Sequence, residues 1–222
     1  AMNVAEVQTR IDAAASGRAV RLVAVSKTKP AGAVGVAHAA GQVHFGENYV
    51  QELLSKAGAV PAGVRWHFIG RLQSNKAKAL LTGVPNLAAV ETVTSAKLAD
   101  KLSSAAAGLG RGEGGEPPLD VYIQVDTSGE DTKNGVEAAE VPALAAHIKA
   151  KCAPSLRFAG LMTIGAPGDA TAFDRLRAAR ESAAAELGMQ PEELELSMGM
   201  SGDFEEAVRR GATSVRVGSL IF

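Results

Sequence analysis

A lysine stands just past a short apolar run, Val23-Ala24-Val25-Ser26-Lys27, and shares side-chain parity with Val23 and Val25. At the end of a strand its amine can condense with an aldehyde as a Schiff base, if partial burial favours the neutral form. A snorkelling lysine or a point charge for a phosphate fits the same position. Near the other end, Leu196-Ser197-Met198-Gly199-Met200-Ser201-Gly202-Asp203 reads as a strand, a turn and the start of a helix. Ser201 is placed to N-cap that helix, Asp203 to complement its dipole and Gly211 to close it, with Phe204, Ala207 and Val208 as the buried stripe. Free N–H groups at such a terminus make an anion site. In Ser214-Val215-Arg216-Val217-Gly218-Ser219, Gly218 permits close backbone approach and Ser219 offers a hydroxyl and an N–H. Arg216 sits mid-run, where an unpaired guanidinium is costly to desolvate. It points either to a polar ligand or to a structural ion pair. Beside a pyridine nitrogen it would disfavour ring protonation.

Other candidates are weaker. Asn48, after His44-Phe45-Gly46-Glu47, fits a hydrogen bond to a ligand oxygen and the start of a helix equally well. Met162 and Met198 end strands where an aromatic ring would pack, although core filling is the commoner use of methionine. The segment from Gly129 to Gly135 reads as a turn, with no local role for Lys133. Arg71, Lys76 and Lys78 form a small basic cluster that reads as a solvated helix face. His67, inside Trp66-His67-Phe68-Ile69, is expected to be a satisfied core or rim histidine. With Cys152 the single cysteine and four histidines never at ligand spacing, neither a disulfide nor a metal site is expected.

These residues need elements to hold them. Runs at Arg21–Ser26, Gln42–Phe45, Arg65–Ile69, Leu87–Glu91, Leu119–Val125, Arg157–Thr163, Leu194–Met198 and Thr213–Val217 read as strands. Helical patterns lie between them, near 30–40, 47–57, 75–82, 94–108, 135–151, 170–187 and 203–210. A leading helix is expected over 4–16, from Val4, Val7 and Ile11. Strands alternating with helices imply parallel pairing. No glycine fingerprint follows the first strand, which disfavours an open doubly wound sheet, and a count of eight favours a single closed (β/α)8 TIM barrel over 1–222. The Gly/Pro-rich stretch Gly108–Pro118 then reads as a surface loop. A formal charge of −1 gives no nucleic-acid or membrane footprint. The charged N-terminus and the lack of a spanning stretch point to the cytoplasm. Ala1 before Met2 reads as a cloning remnant.

Five motifs occur in order along nearly the whole chain: Val23 to Lys27, Phe45 to Asn48, Trp66 to Gln73, Leu196 to Ser201 and Val215 to Gly218. Together they resemble the signatures of the pyridoxal phosphate homeostasis proteins, whose barrel is similar to the N-terminal domain of alanine racemase. The resemblance implies that pyridoxal 5′-phosphate (PLP) is held as an internal aldimine on Lys27. Ser201, Gly218 and Ser219 would cradle its phosphate, Arg216 would face its pyridine nitrogen, and Asn48 would lie near the ring substituents. It also implies a monomer that stores or delivers PLP, with PLP-dependent apoenzymes as recipients and no catalytic residue. Two departures stand out: Ser219 where threonine is common, and an end at Phe222 soon after the last strand. A low-activity amino-acid racemase of the same fold is the enzymatic alternative. Racemisation needs a second acid/base, which alanine racemase takes from an added domain and this chain is not expected to supply. A lysine-dependent aldolase fits less well, because it would not need the five motifs.

Overall fold

A computed structural model describes residues 3–129 and 135–222. Ala1, Met2 and most of the turn assigned to 129–135, with Lys133, lie outside the described residues. The chain opens with α1 (Val4–Ala15) and continues β1 (Arg21–Val25), α2 (Ala31–Ala39), β2 (His44–Glu47), α3 (Val50–Ala57), β3 (Arg65–Phe68) and α4 (Ala77–Gly83). It goes on through β4 (Leu87–Val93), α5 (Ala96–Gly108), β5 (Leu119–Gln124), α6 (Val141–Lys151), β6 (Leu156–Met162) and α7 (Thr171–Leu187). Last come β7 (Glu195–Ser197), α8 (Phe204–Arg209) and β8 (Ser214–Val217). The strands close into a parallel barrel in chain order, β8 pairing with β1, as the alternation of elements predicts. Residues 109–118 form a loop, and strands on both sides of it lie in the same barrel.

Strand parity divides the residues between two faces. Leu22, Ala24, Phe45, Trp66, Phe68, Val215 and Val217 pack into one large hydrophobic cluster with the helices. Residues of the opposite parity, Arg21, His44, His67, Glu195, Ser197 and Arg216, bond to one another across the lumen. The apolar part of the lumen is a small cluster of Ala89, Tyr122, Ala159 and Met162. Cohesion therefore comes mainly from the sheet–helix layer, while the lumen is polar and must be satisfied by hydrogen bonds.

Some boundaries differ from the sequence reading. The second strand starts two residues late because Gln42 turns its amide onto the carbonyls of Leu22 and His44. It runs on to Glu47 because its last residues pair with His67 and Phe68. The helix expected from 135 begins at Val141, after a short turn over Ala138–Glu140 and with Pro142 in its first turn. The leading helix has a capping box between Asn3 and Glu6 and buries Val7, Ile11 and Ala15. It packs on α8: Arg10 pairs with Glu205 at 2.6 Å and lies over the Phe204 ring, and Arg18 donates to the carbonyls of Val208 and Ala212.

The lumen has a consequence for acid stability. Burial, with His67, Arg21 and Arg65 nearby, pushes the pKa of His44 down from 6.5 to about 3, against some support from Glu91. Between those values the unfolded chain binds a proton that the folded one refuses, so stability rises with pH across that window. Glu91, held below its ordinary range, acts in the same direction, while Glu47, raised by burial, opposes it just above pH 4.5. Thermal melts should show a midpoint that climbs from pH 4 to 6.5 and a flatter profile for His44→Gln. Equal midpoints at pH 4.5 and 6.5 in the parent protein would contradict this.

Candidate functional site

At the C-terminal ends of the strands lies a cavity of about 480 Å³, with Val25, Lys27, Asn48, Ile69, Met162 and Arg216 in its wall. Ser201, Gly202, Gly218 and Ser219 complete one side. A larger cavity of about 630 Å³ opens at the opposite mouth, lined by Arg21, His44, Arg65 and Glu195 among others. Arg21 and Glu195 are already paired at 3.1 Å there. Loops at the strand C-termini carry the chemistry of this fold, so the smaller cavity is the candidate site.

Lys27 stands two residues beyond β1 and is exposed at the cavity mouth. The partial burial expected for it is absent, because the strand ends at Val25 and a turn with Thr28 at φ 65° follows. That turn is held firmly from outside the barrel. Lys56 Nζ lies 2.9 Å from the Ser26 carbonyl oxygen, 2.7 Å from Glu47 Oε1 and 2.5 Å from Glu52 Oε1. The Ser26 hydroxyl donates to Glu47 at 2.7 Å, and the Thr28 N–H to Glu52 at 2.5 Å. Burial pushes the Glu47 carboxyl above its ordinary range, against the hydrogen bonds from Lys56 and Ser26.

Asn48 is half-buried, and its amide oxygen has no hydrogen-bond partner among the described residues. A buried, unpaired acceptor beside a cavity is a place for a ligand donor. Ser201 is not the N-cap expected of it. The helix starts at Phe204 after Asp203, and the Ser201 hydroxyl instead accepts the Gly218 N–H at 3.3 Å. The two loops at the cavity rim are thereby joined. A Cβ on Gly218 would fall 2.9 Å from the Val25 carbonyl oxygen, so glycine permits the close approach foreseen there. Met198 does not line the cavity. Leu196 and Met198, the latter just past β7, share an outward parity and pack in the main core, while Met162 and Met200 are the methionines that line the cavity.

Arg216 is buried in the cavity floor. It donates to Ser197 Oγ at 2.7 Å and to the Thr163 carbonyl at 2.8 Å. The Ser197 hydroxyl donates to Glu91 Oε2 at 2.5 Å, and His67 Nδ1 meets Glu91 Oε1 at 2.8 Å. His67 is thus the satisfied core histidine expected, linked in turn to His44 at 2.9 Å. Burial works against the Glu91 charge, but His67, Arg216 and Ser197 outweigh it and hold this carboxyl below its ordinary range. The ring of donors and acceptors fits a phosphorylated heteroaromatic aldehyde such as PLP. It offers an amine, small residues and hydroxyls at a tight rim, and an arginine opposite.

Over residues 1–222 the chain matches the family model described as alanine racemase, N-terminal domain. It is 50% identical to the pyridoxal phosphate homeostasis protein of Bos taurus over 91% of this chain and 76% of the relative. The corresponding protein of Escherichia coli is 39% identical over 100% of this chain and 95% of the relative. The chain belongs to the pyridoxal phosphate homeostasis protein family. Its barrel is also similar to PipY of Synechococcus elongatus, solved with PLP bound, at a TM-score of 0.75, 34% identity and coverage of 97% and 99% of the two chains.

Several residues that support the cavity wall carry no assignment from the sequence alone. Glu47 sits inside a motif that was read only for Asn48, and Glu91 and Ser197 look like ordinary strand residues. Lys56 shows only a helical i,i+4 spacing to Glu52, which reads as an ordinary surface pair. Elsewhere, the fold brings Asp100, His147 and Cys152 together between helices. There Asp100 and His147 form a hydrogen-bonded pair at 2.7 Å, and burial pushes the Cys152 thiol up. Arg71, Lys76 and Lys78 are exposed, as a solvated face requires. Among the described residues no helix is long and apolar enough to cross a membrane.

Proposed function

We propose that this protein binds PLP in the barrel-mouth cavity and serves vitamin B6 homeostasis by storing or delivering the cofactor. The observation that carries the reading is the convergence of Lys27, Asn48, Ser201, Arg216, Gly218 and Ser219 on one cavity from separate segments of the chain. The PLP found in PipY, a relative of the same fold, supports it. Lys27 anchors the cofactor aldehyde through its Nζ, one C=N bond forming as one water leaves. Its exposure at the mouth lets an incoming amine reach the same carbon and release the cofactor. Ser201, Gly218 and Ser219 hold the phosphate with hydroxyls and backbone N–H groups, and Asn48 meets a ring substituent. Arg216 donates to the ring nitrogen, which leaves that nitrogen unprotonated and a poor electron sink. Such a site retains the cofactor without driving chemistry on a bound amine. The reading extends to a cytoplasmic monomer acting over 1–222 as one binding unit, with PLP-dependent apoenzymes as recipients.

The deciding measurement is the absorbance spectrum of purified protein with PLP, repeated for Lys27→Ala. The parent should show a near-violet Schiff-base band that survives desalting, and the variant should lose it. A parent protein without the band would refute the covalent anchor. Sustained exchange of an amino acid α-proton into deuterated water at ordinary enzymatic rates would favour a racemase instead.

A further inference from the structure

We propose that Glu91 is a positioning residue for Arg216: through the Ser197 hydroxyl, the buried carboxylate fixes the guanidinium and balances its charge, so that the cavity floor takes an uncharged ring nitrogen and rejects a cationic one. This rests on the reading that the PLP ring nitrogen meets Arg216.

Among the described residues Arg216 has no direct carboxylate partner, although it is buried. A charge in that position needs compensation, because desolvating an isolated guanidinium is prohibitive. The geometry supplies it one hydroxyl away. Arg216 donates to Ser197 at 2.7 Å and Ser197 donates to Glu91 at 2.5 Å, so every donor runs from the cation toward the anion. A serine has a single proton. Given to Glu91, it leaves lone pairs free for Arg216, and the two bonds polarise each other in the same sense. The Thr163 carbonyl takes a second guanidinium N–H at 2.8 Å, so the plane of the group is set from two strands. Remaining N–H groups are left for the cavity.

Glu91 is itself held from behind. His67 Nδ1 binds its other oxygen at 2.8 Å, and His44 holds His67 at 2.9 Å. The carboxylate is fully buried and has no access to the cavity, which it influences only through Ser197 and Arg216. A pyridinium nitrogen has no lone pair to accept from Arg216 and would set N–H against N–H, whereas a neutral nitrogen accepts its N–H.

The test uses PLP labelled with ¹⁵N at the ring nitrogen, bound to the parent protein, Glu91→Gln, Ser197→Ala and Arg216→Gln. Affinity is read by fluorescence titration, ring protonation by the ¹⁵N chemical shift and folding by circular dichroism. Glu91→Gln and Ser197→Ala should each weaken PLP binding roughly tenfold. Both should also move the ¹⁵N shift in the same direction as Arg216→Gln, with the fold retained. A merely structural Glu91 would lower the melting temperature and leave the shift untouched, which would overturn the proposal. Should Glu91→Gln fail to fold, Ser197→Ala decides, since it removes one hydroxyl and leaves the Glu91–His67 pair intact. Parent-like affinity and shift in that variant overturn the proposal as well. If Arg216→Gln moves the shift and the other two do not, the PLP reading stands and the role of Glu91 falls. A parent protein that does not bind PLP ends both.

Discussion

Replacing Lys56 by methionine is expected to destabilise the fold by about 3–5 kcal/mol, because it strands a buried carboxylate. Glu47 is fully buried, one of its oxygens has no partner among the described residues, and its other oxygen depends on Lys56 and Ser26. Methionine keeps the volume of the aliphatic stem and removes the cation, so packing loss contributes little. The same change frees the Ser26 carbonyl and Glu52, which hold the turn that carries Lys27. Urea unfolding should therefore show a large drop in midpoint with an unchanged slope. Cofactor retention should fall at temperatures where the variant is still folded. The double variant Lys56→Met/Glu47→Gln should recover much of the stability, since the stranded charge is gone. A single-variant loss below about 1 kcal/mol would put this cluster in the class of weak surface pairs.

The second large effect is expected from Gly70→Ala. A Cβ there would lie 1.9 Å from the Asn48 carbonyl oxygen and 2.6 Å from its carbon, which is overlap with backbone. Gly70 cannot retreat, because its own carbonyl accepts the buried Thr92 hydroxyl at 2.7 Å. The strain must move Asn48, and with it an acceptor in the cavity wall. We expect a loss of about 1–3 kcal/mol or somewhat more in stability, and a loss of PLP affinity larger than the stability change explains. Gly83→Ala is the comparison. There the new Cβ meets Leu54 Cδ2 at 2.3 Å, the far end of a side chain that can rotate aside. If both variants behave alike in PLP titrations, the backbone contact at Gly70 does not govern the site.

The barrel is legible because strand and helix alternate with few breaks, and parity gives the face of each residue except where irregularities in β4 and β6 set Val90 with Val93 and Ala159 with Met162. That rule puts Lys27, Arg216 and Gly218 on the inward parity of β1 and β8, and all three line the cavity, with Ser219 beside them on the loop after β8. Met198 was lost by neglecting it: the residue after Ser197 must face the helices. Ser201 misled because a serine before a helix reads as a cap, and only the neighbouring loop reveals that its hydroxyl serves Gly218 instead. Glu91, Ser197 and Lys56 were invisible for a different reason. The partners of Glu91 and Ser197 lie on other strands tens of residues away, and although Lys56 has Glu52 one helical turn back, its reach to Glu47 and the Ser26 carbonyl depends on how α3 packs on the sheet.

The seam between the first and last elements bears on how the protein is made. β1 pairs with β8, and α1 packs on the six-residue α8 through Arg10, Arg18 and the Phe204 ring. A helix that short has little stability of its own and takes its order from neighbours. Lys27 emerges early in synthesis, yet Ser201 and Arg216 arrive 174 and 189 residues later. On the proposed reading, the growing chain carries an anchoring amine with no phosphate grip until β8 joins β1. Cofactor loading would then be a late event, and a report that the ring has closed.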